Sequence, residues 1–200
     1  MEASAKQRTA DAIRAVEAQT AAEVVVAMRR RASHHVWTSV AFGALCALAG
    51  FAYMWFSPQL YDVMTMPLDA AIAWVLGGLV CALVAPLRRV LTPSGVRRRR
   101  AERAARAAFG ALGIDKTRGR TGLLIYVALF ERTCVLVPDS GVPAAALGGA
   151  LGSVRDALDE AVRRVDFEAF LAAIARLGPA CGGLLPRSAD DVNELRDSVA

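Results

Sequence analysis

Residues 36–56 read VWTSVAFGALCALAGFAYMWF and residues 70–87 read AAIAWVLGGLVCALVAPL, and neither stretch contains a charged side chain. As α-helices they would span about 31 Å and 27 Å, close to the hydrocarbon thickness of a bilayer, about 30 Å. A pair of core helices in a soluble domain is the alternative, but two uncharged runs of this length are rare there. The sequence therefore predicts a two-helix transmembrane hairpin over residues 36–87, with an outer link at residues 57–69.

The charges that flank the hairpin predict its orientation. Three arginines precede the first stretch at positions 29–31, and eight follow the second stretch between positions 88 and 106. The link contains Asp62 and Asp69 but no lysine or arginine. Because cytoplasmic flanks carry the excess of lysine and arginine, both termini are predicted to be cytoplasmic and the link to face outward.

The sequence on both sides of the hairpin contains strand patterns. EVVVAM at residues 23–28 is rich in valine, which favours a buried strand, and its backbone groups need partners further along the chain. LLIYVALF at residues 123–130 is apolar on both faces, as in a central strand, and TCVLV at residues 133–137 can pair back on it. Helices are predicted at residues 4–20, 96–112 and 153–164 and again from residue 167, where Asp166 would be the N-cap.

These elements predict one discontinuous cytoplasmic domain, formed by residues 1–33 and 94–186. A strand–helix–strand order around the hairpin predicts that the first two strands are parallel, and the third is expected to be antiparallel. The expected fold class is α/β, a small mixed-sheet α/β sandwich interrupted by the two-helix transmembrane hairpin. Residues 187–200 are predicted to be a polar tail.

A basic run, VRRRRAERAAR at residues 96–106, is the strongest charged signal outside the hairpin. The net charge of the chain is +5, and most of the excess lies beside the predicted membrane segment. Anionic lipid attracts such residues, whereas the absence of interleaved aromatic residues argues against nucleic acid. Predicted membrane-surface residues are Arg97, Arg98, Arg99, Arg100 and Arg103, and control of topology alone is the alternative interpretation.

Few side chains in the sequence are suited to catalysis. Asp139 follows a predicted strand and precedes Ser140-Gly141, where backbone amides can help to hold an ion, and Asp115 is its nearest carboxylate by topology. An ordinary turn aspartate is the alternative. The sequence has no Ser/His/Asp order, P-loop, HExxH motif or Cys/His cluster for zinc.

Several segments together resemble a known family. The order AEVVVAM, RAERAARAAFGALGI, TGLLIYVALFERTCVLVPDSGV, DFEAFLAAIARLG and DDVNEL is similar to the TPM domain, in particular its bacterial membrane-bound subgroup, in which a transmembrane hairpin splits the domain. The resemblance implies an α/β sandwich in a bacterial inner (plasma) membrane protein. Some relatives are calcium-binding acid phosphatases, and others are assembly or repair factors without established chemistry.

Two functions are therefore expected. The first is a non-catalytic module, anchored at the inner face of the membrane, that binds a protein partner or anionic lipid. The alternative, implied by the resemblance, is a phosphatase-like enzyme that uses Ca²⁺ or Mg²⁺ at Asp139 and Asp115. Metal would stabilise charge on the phosphoryl oxygens there, because no nucleophile with an adjacent base is visible.

Overall fold

The computed structural model describes residues 2–30, 36–59, 61–143 and 145–187. The chain divides into two compact units, one comprising Met1–Ala32 with Arg97–Ala200 and the other Ser33–Val96. We call the first the α/β unit and the second the hairpin unit. The helices are α1 (Glu2–Glu17), α2 (Val36–Phe56), α3 (Met66–Leu83), α4 (Ala85–Leu91), α5 (Ser94–Ala111), α6 (Gly148–Arg164), α7 (Phe167–Ala175) and α8 (Leu177–Gly182), with a 3₁₀ helix at Ile114–Lys116.

The α/β unit contains a three-stranded mixed sheet. Its strands β1 (Glu23–Arg29), β2 (Gly122–Ala128) and β3 (Thr133–Pro138) lie in the order β1-β2-β3. β1 pairs in parallel with β2, and β2 pairs antiparallel with β3. The predicted mixed sheet is therefore confirmed, although 92 residues separate the facing strands β1 and β2.

Helices cover both faces of this sheet. The side chains of β2 are therefore buried along its whole length. One face packs against α1, α6, α7 and α8, and its core includes Val26, Ile125 and Leu158. The other packs against α5 and the 3₁₀ helix, and its core includes Leu124 and Tyr126. Alternation of side chains along a central strand supplies both cores at once.

The first helix is held to the C-terminal helices by an exposed contact. Nη1 and Nη2 of Arg8 donate to the Glu168 carboxylate at 2.8 and 2.7 Å, and the guanidinium lies 5.3 Å from the Phe167 ring centroid. The hydrogen bond from Arg8 lowers the pKa of Glu168 below its ordinary value. Sequence before the hairpin thus contacts sequence far beyond it.

Several predicted boundaries differ from the observed ones. The helix predicted at residues 4–20 is α1, which ends at Glu17, and Thr20 instead donates its hydroxyl to the Leu185 carbonyl at 2.9 Å. β2 ends at Ala128, so the last two residues predicted for this strand belong to the turn. The Asp166 N-cap is confirmed, since its carboxylate accepts from the Ala169 N–H at 3.0 Å. The predicted tail lies outside the described residues from position 188 onward.

The second apolar helix differs most from its predicted range of 70–87. α3 begins at Met66, because Pro67 lies in its first turn, where no backbone donor is needed. It ends at Leu83, and the extended residue Val84 is followed by α4, which has its own proline in the first turn. The link between α2 and α3 is therefore shorter than predicted.

The hairpin unit contains two helices, α2 and α3, that are long and apolar enough to cross a membrane, by length and composition. They are antiparallel and pack closely at glycines. A Cβ at Gly43 would collide with the Trp74 carbonyl, and one at Gly77 would lie 2.7 Å from the Cys46 sulfur. Nε1 of Trp74 donates to the Val40 carbonyl at 3.2 Å. Small residues at a close helix–helix contact are typical of packing inside membranes.

Candidate functional site

The sheet end at which β1 and β2 begin and β3 ends contains the predicted residue Asp139. Its backbone N–H donates to the Gly122 carbonyl at 2.9 Å, and Glu23 is the register partner of Gly122 on the other side. Both acidic residues are buried, with exposed fractions of 8% for Glu23 and 9% for Asp139. Two carboxylate residues therefore lie in one row across the sheet, with a glycine between them.

Two glycines bring loops against this row. A Cβ at Gly122 would collide with the Ile114 side chain and lie 2.9 Å from the Ile114 carbonyl oxygen. A Cβ at Gly141 would collide with the Gly119 carbonyl, and the Gly141 N–H donates to Arg120 at 2.9 Å. The loops at residues 113–121 and 139–142 are therefore in direct contact, and we call them the paired loops.

The carboxylate of Asp139 is only half satisfied. Its Oδ1 accepts from the Ser140 backbone N–H at 2.6 Å and from the Ser140 hydroxyl at 3.3 Å. Nη1 of Arg120, a residue with an exposed side chain, lies 4.0 Å from the same oxygen. Oδ2 is buried and has no hydrogen-bond partner among the residues that the structure describes.

Two further side-chain oxygens in the paired loops are buried without a hydrogen bond to any described residue, like Oδ2 of Asp139. Oδ1 of Asp115 and the hydroxyl of Thr117 are buried without a hydrogen-bond partner in the described part of the chain, and Thr117 is 5% exposed. An unpaired buried polar group costs about 1–3 kcal/mol, so three of them in two touching loops call for an explanation. A hard cation bound by oxygen is the ligand that such a set favours.

The three side-chain oxygens could bind a divalent cation only together with further oxygen ligands. Among the described residues, no three of the types His, Cys, Asp and Glu are grouped so that they could hold a metal ion. Ca²⁺ takes six to eight oxygens, so Asp115, Asp139 and the Thr117 hydroxyl would need backbone carbonyls and water to complete its shell. The paired loops supply carbonyls, including those of Ile114 and Gly119, close to the sheet end.

The predicted membrane-surface arginines lie in the first half of α5. Arg98, Arg99 and Arg103 are exposed, whereas Arg97 and Arg100 are half-buried. Nε of Arg98 forms an ion pair with Glu102 at 3.3 Å. Arg99 and Arg103 share one helix face with a third exposed arginine, Arg106.

Sequence reasoning missed one member of the candidate cation site, Thr117, and one buried carboxylate residue in the same row as Asp139, Glu23. Thr117 lies in the polar run DKTRGRTG, which was interpreted only as a loop, although its spacing from Asp115 places two oxygen ligands two residues apart. Glu23 begins β1, and its role depends on the parallel register with Gly122. Strand alternation could have indicated its face, but not its nearness to Asp139.

No family model and no curated protein matches this sequence. A solved structure is similar in fold: the NMR structure of BA42 protein from the psychrophilic bacterium Bizionia argentinensis sp. nov.. The two superpose with a TM-score of 0.58 over 99% of this chain and 92% of that chain, at 19% sequence identity. At this identity the likeness shows the mixed α/β fold alone.

Proposed function

We propose that this chain is a membrane-anchored α/β domain at the cytoplasmic face of a bacterial inner (plasma) membrane. In this proposal it is a non-catalytic binding or assembly module for a protein partner or for anionic lipid, as the TPM resemblance allows. The observation that carries the proposal is the apolar surface of α2 and α3. Only 11% of the apolar stretch of α2 and 6% of the apolar stretch of α3 are buried.

This exposure supports the proposal, because the core helices of a soluble domain are mostly buried. Leu45, Leu48 and Leu83 are 60%, 68% and 74% exposed. Contiguous apolar surface on this scale marks a membrane or partner contact, and covering it removes about 25 cal/mol of unfavourable free energy per Å². A bilayer covers both helices along their whole length.

The exposed arginines of α5 support contact with anionic lipid. Arg99, Arg103 and Arg106 project from one face, so three charges can meet headgroups together. Each basic residue near an anionic surface contributes about 1 kcal/mol. A protein partner with an acidic surface could use the same face.

Reporter fusions test the anchoring and its orientation. Alkaline phosphatase is active only outside the cytoplasm, so we expect activity when it is fused after Tyr61 and none when it is fused after Ala200. The reverse pattern would contradict the orientation, and a chain released from membranes by alkaline carbonate would contradict the anchoring.

The alternative, a divalent-cation-dependent phosphatase-like function, is favoured by one specific observation. Three buried oxygens of the paired loops, from Asp115, Thr117 and Asp139, have no hydrogen-bond partner among the described residues. When bound, Ca²⁺ or Mg²⁺ would supply charge stabilisation for a phosphoryl group. Asp115, Thr117 and Asp139 would hold the cation, and Arg120 would lie beside it.

A titration of the full-length chain in detergent separates the two functions. The melting temperature is measured against Ca²⁺ and Mg²⁺, together with hydrolysis of a generic phosphate monoester, for the parent and for Asp139→Asn. A cation-dependent rise in both, lost in the variant, would replace the non-catalytic proposal. Unchanged melting with either cation would remove the cation site.

A further inference from the structure

We propose that the sheet end opposite the paired loops contacts the surface of an anionic membrane. It is formed by the β2–β3 turn, residues 129–132, and by the α6–α7 turn, residues 163–166; we call these two turns the turn surface. This inference rests on the proposed membrane anchoring and assigns a second lipid-contacting surface, separate from the arginines of α5.

The turn surface carries apolar side chains that the fold leaves outside. In the described part of the α/β unit, three large hydrophobic side chains are exposed: Leu129 at 49%, Val165 at 68% and Leu184 at 49%. Two of the three lie on the turn surface. Leu184 lies near the opposite end of the sheet, since the neighbouring Leu185 carbonyl accepts from the Ala21 N–H at 2.9 Å, ahead of β1.

Val165 occupies a position where glycine is the usual residue. Its φ and ψ are 60° and 38°, in the left-handed region that β-branched side chains avoid. The Asp166 N–H donates to Ala161 at 2.9 Å and the Val165 N–H to Val162 at 3.2 Å, which is the Schellman arrangement at the end of α6. Because the Val165 side chain is exposed, its burial does not offset this backbone strain. Strained backbone that packing does not explain is typical of functional contact sites.

Arginines surround the two apolar side chains. Nη1 of Arg132 donates to the Arg163 carbonyl at 3.5 Å, which joins the two turns. The Leu129 N–H donates to the Arg29 carbonyl at 3.0 Å and the Phe130 N–H to that of Arg30 at 3.1 Å, so the end of β1 lies alongside. The hydrogen bond of Arg132 goes to a neutral carbonyl, which leaves its positive charge available to a phosphate headgroup.

Acidic side chains at this end cancel part of the positive charge. Glu131 is buried, with 2% exposed. Arg163 pairs with Asp159 at 3.1 Å and Arg164 pairs with Glu160, so these four charges neutralise one another. Asp166 is engaged as the N-cap of α7. Arg29, Arg30 and Arg132 then outnumber Glu131 and Asp166 by one, which leaves this end with a net positive charge.

The short connection between β1 and α2 favours a membrane as the partner of the turn surface. β1 ends at Arg29 and α2 begins at Val36. Seven residues span at most about 25 Å, so a hairpin inserted at Val36 keeps the end of β1 within that distance of the bilayer. Exposed apolar side chains can insert into the bilayer interface, and arginines beside them can bind anionic headgroups.

Depth-dependent fluorescence quenching of the full-length chain in nanodiscs tests this inference. A nitrobenzoxadiazole fluorophore is attached to Leu129→Cys or Val165→Cys, in a Cys46→Ala background because the other three cysteines are buried. The matched control is Leu184→Cys, whose native side chain has the same 49% exposure as Leu129. Leu48→Cys, in the middle of α2, reports insertion of the hairpin.

We expect lipid-borne doxyl groups to quench positions 129 and 165 severalfold more than position 184 in discs that contain phosphatidylglycerol. We expect this difference to be lost in pure phosphatidylcholine. Equal quenching at all three positions while position 48 is quenched would overturn the inference but leave the anchoring intact. Absence of quenching at position 48 would overturn the proposed anchoring itself.

A label-free measurement excludes an effect of the fluorophore. Amide hydrogen exchange of the unlabelled chain is compared between the two lipid compositions. We expect slower exchange in residues 129–132 and 163–166 with phosphatidylglycerol, and no change around residue 184. Exchange that does not depend on lipid at the turn surface would contradict the contact.

Discussion

Replacement of Thr117 by valine tests the unpaired oxygens of the paired loops. The Thr117 hydroxyl is buried without a partner, and valine keeps the shape of the side chain while removing the oxygen. Burying an unpaired hydroxyl costs about 1–3 kcal/mol in protein mutational data. In the presence of a chelator, we therefore expect Thr117→Val to stabilise the α/β unit by about 1 kcal/mol, equivalent to a rise in melting temperature of about 3 °C.

Thr20→Val is the matched control. Thr20 is also buried, at 1% exposed, but its hydroxyl donates to the Leu185 carbonyl at 2.9 Å and accepts from the Ala22 N–H at 3.2 Å. The same substitution there removes the partner of the Ala22 N–H, whereas the Leu185 carbonyl still accepts from the Ala21 N–H. We expect it to destabilise the unit by about 1–3 kcal/mol.

A thiol-reactive dye can follow the melting of both variants in detergent. Cys134 and Cys181 are buried in the α/β unit and become reactive only when it unfolds. With Ca²⁺ or Mg²⁺ added, Thr117→Val should gain less stability than the parent, because one oxygen ligand is missing. A Thr117→Val variant that is destabilised like Thr20→Val would refute the reasoning, since the hydroxyl would then have a partner.

Three other substitutions or treatments have expected outcomes. Gly43→Ala should lower the detergent melting temperature of the hairpin because the added Cβ collides with the Trp74 carbonyl, whereas Gly50→Ala should be tolerated because its nearest contact is 3.8 Å. Val165→Gly should raise the stability to urea by about 1 kcal/mol through relief of left-handed strain, and a loss would contradict that origin. Burial raises the pKa of the Cys134 thiol, so iodoacetamide should not label it before unfolding, as mass spectrometry can show.

Much of the α/β fold could be predicted from the sequence because its strongest patterns are local. Three consecutive valines at residues 24–26 and the apolar run at 123–130 identify buried strands, and a predicted hairpin with two membrane crossings would leave them on the same side to pair. Helix ends were less predictable. The break at Val84 comes just before Pro86, which lies in the first turn of α4, and the apolar composition of the run does not reveal it.

The candidate cation site was only half predictable. Asp139 is predicted because it follows a strand and precedes the backbone amides of Ser140-Gly141, and Asp115 because it is the nearest carboxylate by topology. Thr117 is not predictable as a cation ligand from the sequence, since a threonine in a polar run usually faces water. Its burial without a partner among the described residues identifies it in the structure. Non-local packing through Gly122 and Gly141 brings the loops together, and no short-range pattern encodes that contact.

Unfolding of the α/β unit without the hairpin tests most directly whether sequence on both sides of the hairpin forms one domain. Val24, Val25 and Val26 of β1 are 1%, 6% and 0% exposed, and each buried valine contributes about 1.5–3 kcal/mol. Their sum is comparable with the whole stability of a small domain, about 5–15 kcal/mol. Residues 1–33 joined to 94–200 by a flexible linker should therefore unfold cooperatively in urea, whereas residues 94–200 alone should not. Equal cooperative unfolding of both chains would contradict the shared domain.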